Sequence, residues 1–404
     1  MARSRPRDLG IIFGEFEPGK GNAITDVPGV GVGHFTLIDG EGPLVVGKGP
    51  ARTGVTVILP HGGNIFRKKV QAGCFVLNGF GKSAGLHQIQ ELGTIETPIA
   101  LTNTLSVHRI ADAMVGYACS QSPEIGISTG TVNPVVGDIN DGFLNDIQGR
   151  HLREEHLLAA IRAGQENLAA NNFSAGKNIV PPPPAEGNVG GGAGCSCLGF
   201  KGGIGTSSRK LPAEQGGWTI GVLAQTNFGG DLIIKGVPVG ALLKQHGRLH
   251  PGAAPAALKP PDPPGSCMVI IATDAPLDAR LLTRMARRGA LGMARTGFYS
   301  ASGSGDFFIA FTTASPVPHD PECQDLGDGK PSARKPESPT LLSREVLPDE
   351  SMTPLFAAQA DAVEEAIINS LFAAETMTGR DGNTRVALPI EETMEILRMH
   401  KALD

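Results

Sequence analysis

Aromatic side chains are scarce in this chain, with one tryptophan, two tyrosines and 16 phenylalanines among 404 residues. Its interior therefore has to be aliphatic and to bring backbone segments close together at glycine. An excess of positive charge is also missing: 35 Lys and Arg stand against 40 Asp and Glu, for a formal charge of −5 and a pI near 6.1, with no basic cluster or stripe. That balance argues against a nucleic-acid or anionic-membrane partner and favours a small-molecule or peptide ligand. No apolar run reaches the roughly 18 residues needed to span a bilayer. No apolar segment follows Met1-Ala2-Arg3-Ser4-Arg5-Pro6-Arg7 that could serve as a signal, so a cytoplasmic protein is expected.

Several motifs are absent as well. The six cysteines (Cys74, Cys119, Cys195, Cys197, Cys267, Cys323) show no CxxC spacing, and Cys195-Ser196-Cys197 lacks a second pair. Neither zinc nor a disulfide framework is supported, and the cysteines read as buried free thiols. There is no H-E-x-x-H, the ten histidines are scattered, and the glycine-rich Gly187–Gly194 and Lys201–Ser208 do not complete a Walker loop. Their plain meaning is tight turns and backbone packing; their functional meaning would be amides aimed at a carbonyl or oxyanion. Gly79-Phe80-Gly81-Lys82-Ser83-Ala84 fits a loose G-x-G-x-x-A pattern, but Thr97–Leu101 lacks the acidic residue expected there and Glu96 comes slightly early. No metal and no organic cofactor is expected.

What the chain has is glycine and proline, 55 and 31 residues, enough for many tight turns yet short of low complexity. Short β-branched or aromatic runs bounded by glycine at 54–59 and 73–77 read as buried strands, while 109–119 and 151–165 carry helical spacing. Residues 172–186, with four consecutive prolines, and 245–265 read as loops. Residues 314–352, rich in Pro, Ser and charge, read as a flexible exposed insertion. Thr353-Pro354 opens a helix whose stripe is Phe356, Ala360, Val363, Ile367 and Leu371, and a last helix covers about 390–400.

The most legible stretch follows a proline-rich approach, Leu258-Lys259-Pro260-Pro261-Asp262-Pro263-Pro264, that stops at Gly265. Ser266 then opens an apolar strand over 267–272, a helix follows from about Pro276 to Thr296, and a second strand covers 306–313. Asp274 is placed to cap the helix, Pro276 suits its first turn and Gly297 its end. A crossover of this kind makes the two strands parallel and near neighbours. Their N-terminal ends then bring Ser266 beside Ser302, Gly303, Ser304 and Asp306. A mid-chain serine is a poor nucleophile without a base, and no histidine lies between His250 and His319. Were the Gly265-Ser266 bond broken, Ser266 would carry its own base, an α-amino group of pKa roughly 7.7 to 8. A plain loop-to-strand junction is the alternative, since Gly-Ser dipeptides are no commoner here than composition predicts.

Taken together, Asn22–Val30 with Val32-Gly33-His34, Thr97–Thr104, Gly142–Asp146, Gly199–Arg209, Ala272–Leu277, Ala290–Gly297 and Ser302–Asp306 resemble the DmpA family of L-aminopeptidase D-amidase/D-esterases, which includes the β-peptidyl aminopeptidases. The resemblance covers nearly the whole chain apart from 314–352. It implies one catalytic domain over 1–404 with a four-layer αββα sandwich, similar in plan to N-terminal nucleophile (Ntn) hydrolases but connected differently. It also implies self-cleavage between Gly265 and Ser266 into an α chain (1–265) and a β chain (266–404). Ser266 is then the nucleophile, Ser304 and Asp306 support its amine, and Asn227 helps to bind the oxyanion. Asp138 and Asp146 are candidates for binding the substrate's amino group, with Phe143 in an aromatic substrate position. Short peptides, amino-acid amides or esters are the implied substrates, and homo-oligomers, commonly tetramers of αβ units, are implied too. Two alternatives stay open: an acyltransferase of the ornithine acetyltransferase type, and an unprocessed binding protein.

Overall fold

The structure is a computed structural model that describes residues 3–174, 182–245, 265–319 and 341–403. The proline-rich approach 258–264, Cys323 and the middle of the 314–352 segment lie outside them. Strands and helices are numbered in chain order. One sheet has the order β1 (Gly31–Asp39), β2 (Ala51–Leu59), β5 (Ile99–Asn103), β6 (Val135–Ile139). The other has the order β4 (Thr94–Ile95), β3 (Lys68–Gly79), β12 (Gly305–Pro318), β11 (Ser266–Thr273), β10 (Thr219–Asn227), β9 (Ile204–Lys210). Two small ribbons, β7 (Ser196–Cys197) with β8 (Phe200–Lys201) and β13 (Met377–Thr378) with β14 (Thr384–Arg385), lie outside both. The helices are α1 (Leu86–Leu92), α2 (Val107–Gln121), α3 (Glu154–Ser174), α4 (Val239–Gln245), α5 (Ala279–Arg295), α6 (Thr353–Ala373) and α7 (Ile390–Met399).

Alternating side chains sort the sheets into layers. Met268, Ile270, Phe307 and Ile309 meet Ile58, Ile99, Leu101 and Val135 between the two sheets. Cys267, Val269, Ile271 and Phe308 point the other way, onto α5 and α6, while Val55, Val57, Ala100 and Val136 pack on α2 and α3. The order is therefore helix, sheet, sheet, helix, the four-layer αββα sandwich. All eight positions of β11 are buried, as a central strand covered on both faces requires. Among the described residues no helix is long and apolar enough to cross a membrane.

β11, α5 and β12 form the crossover read from the sequence, with Ser266 opposite Gly305 and Cys267 opposite Asp306 in parallel register. The helix start differs. It begins at Ala279, capped by Asp278, whose carboxylate accepts the Leu281 N–H at 2.7 Å. Asp274 instead accepts the Thr219 N–H at the start of β10, and Pro276 stays in the connecting loop. The ends of the 314–352 segment are ordered too: β12 continues to Pro318, Leu347 N–H donates to Pro276 O, and Met352 is buried beneath α6. Residues 172–174 belong to α3 rather than to a loop. The five described cysteines are free; Cys74, Cys195, Cys197 and Cys267 are buried and Cys119 is half-exposed.

Candidate active site

The N-terminal ends of β11 and β12 meet the C-terminal ends of β10 and β3, because Ser266 pairs with Gly305 on one side and with Asn227 on the other, and Gly305 pairs with Gly79. Strand alternation turns Ser266 and Asn227 to the inter-sheet face, the face of Met268 and Leu223. Both are buried. The Gly305 N–H donates to Gly265 O at 3.2 Å and lies 3.3 Å from Ser266 Oγ, so one donor serves both the carbonyl of the Gly265-Ser266 bond and the adjacent hydroxyl.

Gly265 is required by space, not by a left-handed backbone. A Cβ there would overlap Asn227 O and Phe228 Cα, so only glycine lets the chain pass this close to the end of β10.

Asp306 is buried on the other face of β12. Ser304 Oγ donates to its Oδ1 at 2.7 Å, Ser300 Oγ to its Oδ2 at 2.8 Å, and the backbone N–H of Cys267, the residue after Ser266, also reaches it. Burial pushes its carboxyl up to about 6 against these three donors. The third hydroxyl of the cluster is thus Ser300, held at φ +54°, and not Ser302, which is exposed. Asn78, at the end of β3, holds the intervening turn by donating from Nδ2 to the carbonyls of Ala301, Ser302 and Ser304. Nothing in the local sequence marks Ser300 or Asn78, because their roles arise from a turn and from pairing between distant strands.

The Asn227 side chain is fixed at both ends: Oδ1 accepts the Ser196 N–H at 2.8 Å and Nδ2 donates to Asn140 O at 3.0 Å. Asp138, on β6, accepts from Lys82 N–H (2.9 Å) and Ser83 Oγ (3.3 Å) at Oδ1 and from Thr104 Oγ1 (2.9 Å) at Oδ2. Ser83 Oγ also lies 3.7 Å from Met268 Sδ, which places this carboxylate across the inter-sheet space from the start of β11. The Gly79–Ala84 segment that mimicked a nucleotide loop therefore holds a carboxylate with its own amide.

Asp146 does different work. It braces a loop by accepting from Gly47 N–H, Gly149 N–H and the His151 ring. Burial works to raise its carboxyl, but the His151 bond and the two amides outweigh it and leave it low. It does not join the cluster around Ser266. Phe143 is half-buried beneath the guanidinium of Arg385, 4.1 Å from the ring centroid. A buried pair that the sequence did not single out stands behind these loops. Burial drives Asp141 up to about 7 and Lys201 down to about 8, with Lys201 Nζ donating to Gly192 O and Gly202 O.

The arrangement offers a hydroxyl beside a carbonyl, a shared N–H donor, a fixed amide on the same face and a carboxylate with two hydroxyls beyond the strand. Comparison with known proteins gives the family of the chain. The model of peptidase family S58 matches residues 22–385. The chain is 40% identical to a β-peptidyl aminopeptidase, BapA, of Sphingosinicella microcystinivorans, over 99% of this chain and 93% of the relative. The crystal structure of the PH0078 protein of Pyrococcus horikoshii is similar at a TM-score of 0.84, with 46% identity over 98% of this chain and 99% of that one. The L-aminopeptidase D-Ala-esterase/amidase of Ochrobactrum anthropi, a prototype of the serine aminopeptidases and a variant of the Ntn hydrolase fold, is similar at 0.81, with 36% identity over 99% of both chains.

Proposed function

The chain belongs to peptidase family S58 and is a serine-type aminopeptidase, and from that premise we propose that it cuts its own Gly265-Ser266 bond and uses the freed Ser266 as nucleophile and base together. The Gly305 N–H shared by Gly265 O and Ser266 Oγ is the observation that carries this reading. In maturation the Ser266 hydroxyl attacks the Gly265 carbonyl, the C–N bond breaks as the ester C–O bond forms, and the hydroxyl proton ends on the new amine. Water then hydrolyses the ester, leaving a Gly265 carboxylate and a free Ser266.

In turnover the Ser266 hydroxyl attacks the carbonyl of a short peptide, amino-acid amide or ester. Its own α-amine accepts the proton and passes it to the leaving group. Ser304 and Asp306 orient that amine and offset its charge. The oxyanion is met by the second Asn227 N–H and by the Gly305 N–H, donors of a kind worth roughly 3 to 4 kcal/mol each. Asp138 takes the free amino group of the substrate against Phe143. We assign that role to Asp138 rather than to Asp146, because the Asp146 carboxylate accepts from the Gly47 and Gly149 amides and the His151 ring.

Hydrolysis is favoured over the acyltransferase alternative by relatives named as aminopeptidases. An aminoacyl p-nitroanilide and its N-acetyl counterpart test the reading. The wild-type chain is expected to release nitroaniline from the first alone, and Ser266→Ala to stay uncut and inert. An active, uncut Ser266→Ala chain overturns it.

A further inference from the structure

The β13–β14 hairpin lies outside both large sheets, yet it holds two loops of the site. Arg380 Nε donates to Gly142 O at 2.6 Å and Asn383 Nδ2 to Phe143 O at 3.0 Å, so the hairpin grips the Gly142-Phe143 turn by its carbonyls. Arg385 covers the Phe143 ring with its guanidinium and donates from Nε to Ser196 Oγ at 2.9 Å. The N–H of that same Ser196 donates to Asn227 Oδ1. Only the oxygen of an amide accepts, so this bond decides which way the Asn227 side chain points and keeps its Nδ2 toward Asn140 and the Ser266 face.

We propose that Arg385 is a positioning residue for the aminopeptidase reaction, locking the substrate-facing Phe143 ring and the Asn227 amide into one unit through Ser196. The proposal rests on the roles given above to Ser266 and Asn227. A planar guanidinium stacks and donates at the same time, which an ammonium on a flexible stem cannot do. With Arg385 in place the oxyanion donor is set before the substrate arrives, and preorganised donors of this kind act on the transition state. Without it the Ser196 hydroxyl loses this donor, and the short β7 segment that presents the Ser196 N–H to Asn227 Oδ1 is held by its backbone pairing to Lys201 and no longer by its side chain.

The test is a double-mutant cycle on the p-nitroanilide with Arg385→Ala, Ser196→Ala, Asn227→Ala and the Arg385→Ala/Asn227→Ala pair. Arg385→Ala is expected to lower kcat about tenfold, a fraction of the roughly 10²- to 10³-fold loss for a missing donor, with KM nearly unchanged. Ser196→Ala is expected to lower kcat in the same sense, and Arg385→Ala to cost nothing further once Asn227 is alanine. Added ethylguanidinium is expected to restore kcat to Arg385→Ala only while Asn227 is present. If the two losses multiply in the pair, the Arg385 proposal fails and the role of Asn227 stands. If Asn227→Ala keeps wild-type kcat, that role fails and the Arg385 proposal with it. Where a variant matures too slowly to assay, the same cycle is read on the half-time of self-cleavage. Arg385→Lys, which keeps the charge, is expected to lose most of the same kcat, and wild-type kcat in it overturns the proposal.

Discussion

Asp306 supplies a test that needs no substrate. In the uncut chain its carboxyl is buried with three hydrogen-bond donors, and burial raises it to about 6 from an ordinary value of 3.8. A raised carboxyl means that the folded state holds the proton more tightly than the unfolded chain. Its contribution to stability is therefore full below about pH 4 and is lost as the pH rises through about 6. A shift of about 2 units at 1.36 kcal/mol each sets an upper bound of about 3 kcal/mol at pH 7. Other carboxylates act in the opposite sense, among them Glu96 and Glu365, whose partners hold them low, so the effect has to be read as a difference. Urea unfolding of Ser266→Ala, which cannot mature, is compared with Ser266→Ala/Asp306→Asn from pH 4 to pH 8. The Asp306→Asn chain is expected to gain up to about 3 kcal/mol relative to its parent between pH 4 and pH 7, with the change spread from about pH 4 to about pH 6 and levelling off above that. A difference that does not vary between pH 4 and pH 6, or that varies in the opposite sense, refutes the reasoning. The same physics makes a free Ser266 ammonium a stabilising neighbour, so the mature wild type is expected to lack most of this loss at neutral pH.

Gly265→Ala is expected to accumulate as uncut chain on a denaturing gel, because its Cβ would overlap Asn227 and Phe228 and push the bond away from Ser266 Oγ. Asp138→Asn is expected to raise KM for free-amine substrates by about 10- to 100-fold, the equivalent of one charged hydrogen bond, with a smaller change in kcat by steady-state assay. Glu365→Gln removes the anion that pairs with buried Arg209 at 2.5 Å and with Arg7 at 3.0 Å. It is expected to cost about 3 to 5 kcal/mol, read as a lowered melting temperature.

The strand pair that carries Ser266 and Asp306 is legible because its signals are local. An apolar run, a capped amphipathic helix and a second apolar run form one crossover, and handedness and chain length leave little choice about where their ends lie. The same locality explains the misses. Asp274 and Asp278 are both plausible caps, and the choice falls to Asp278 because β10 offers Asp274 the Thr219 N–H, a partner 55 residues away in sequence. Ser302 and Ser300 are equivalent in composition, and only the fold of the turn held by Asn78 turns Ser300 toward Asp306. Asp138 and Asp146 are both buried acids, told apart by where β6 and the Asp146 loop end in space. Arg385 carries no motif, and its contact with Phe143 joins residues 242 positions apart. The Gly265-Ser266 seam stands out in the local pattern, whereas Asn227 and the expectation of cleavage come through family resemblance; the register of β10 on β11 sets Asn227 opposite Ser266.

Intact mass with N-terminal sequencing of the purified wild-type chain tests the self-cleavage most directly. Scaling 41.9 kDa by 265 and 139 of 404 residues gives two fragments of roughly 27 and 14 kDa, the smaller beginning Ser266-Cys267-Met268. A single uncut species that nevertheless turns over an aminoacyl amide would contradict it.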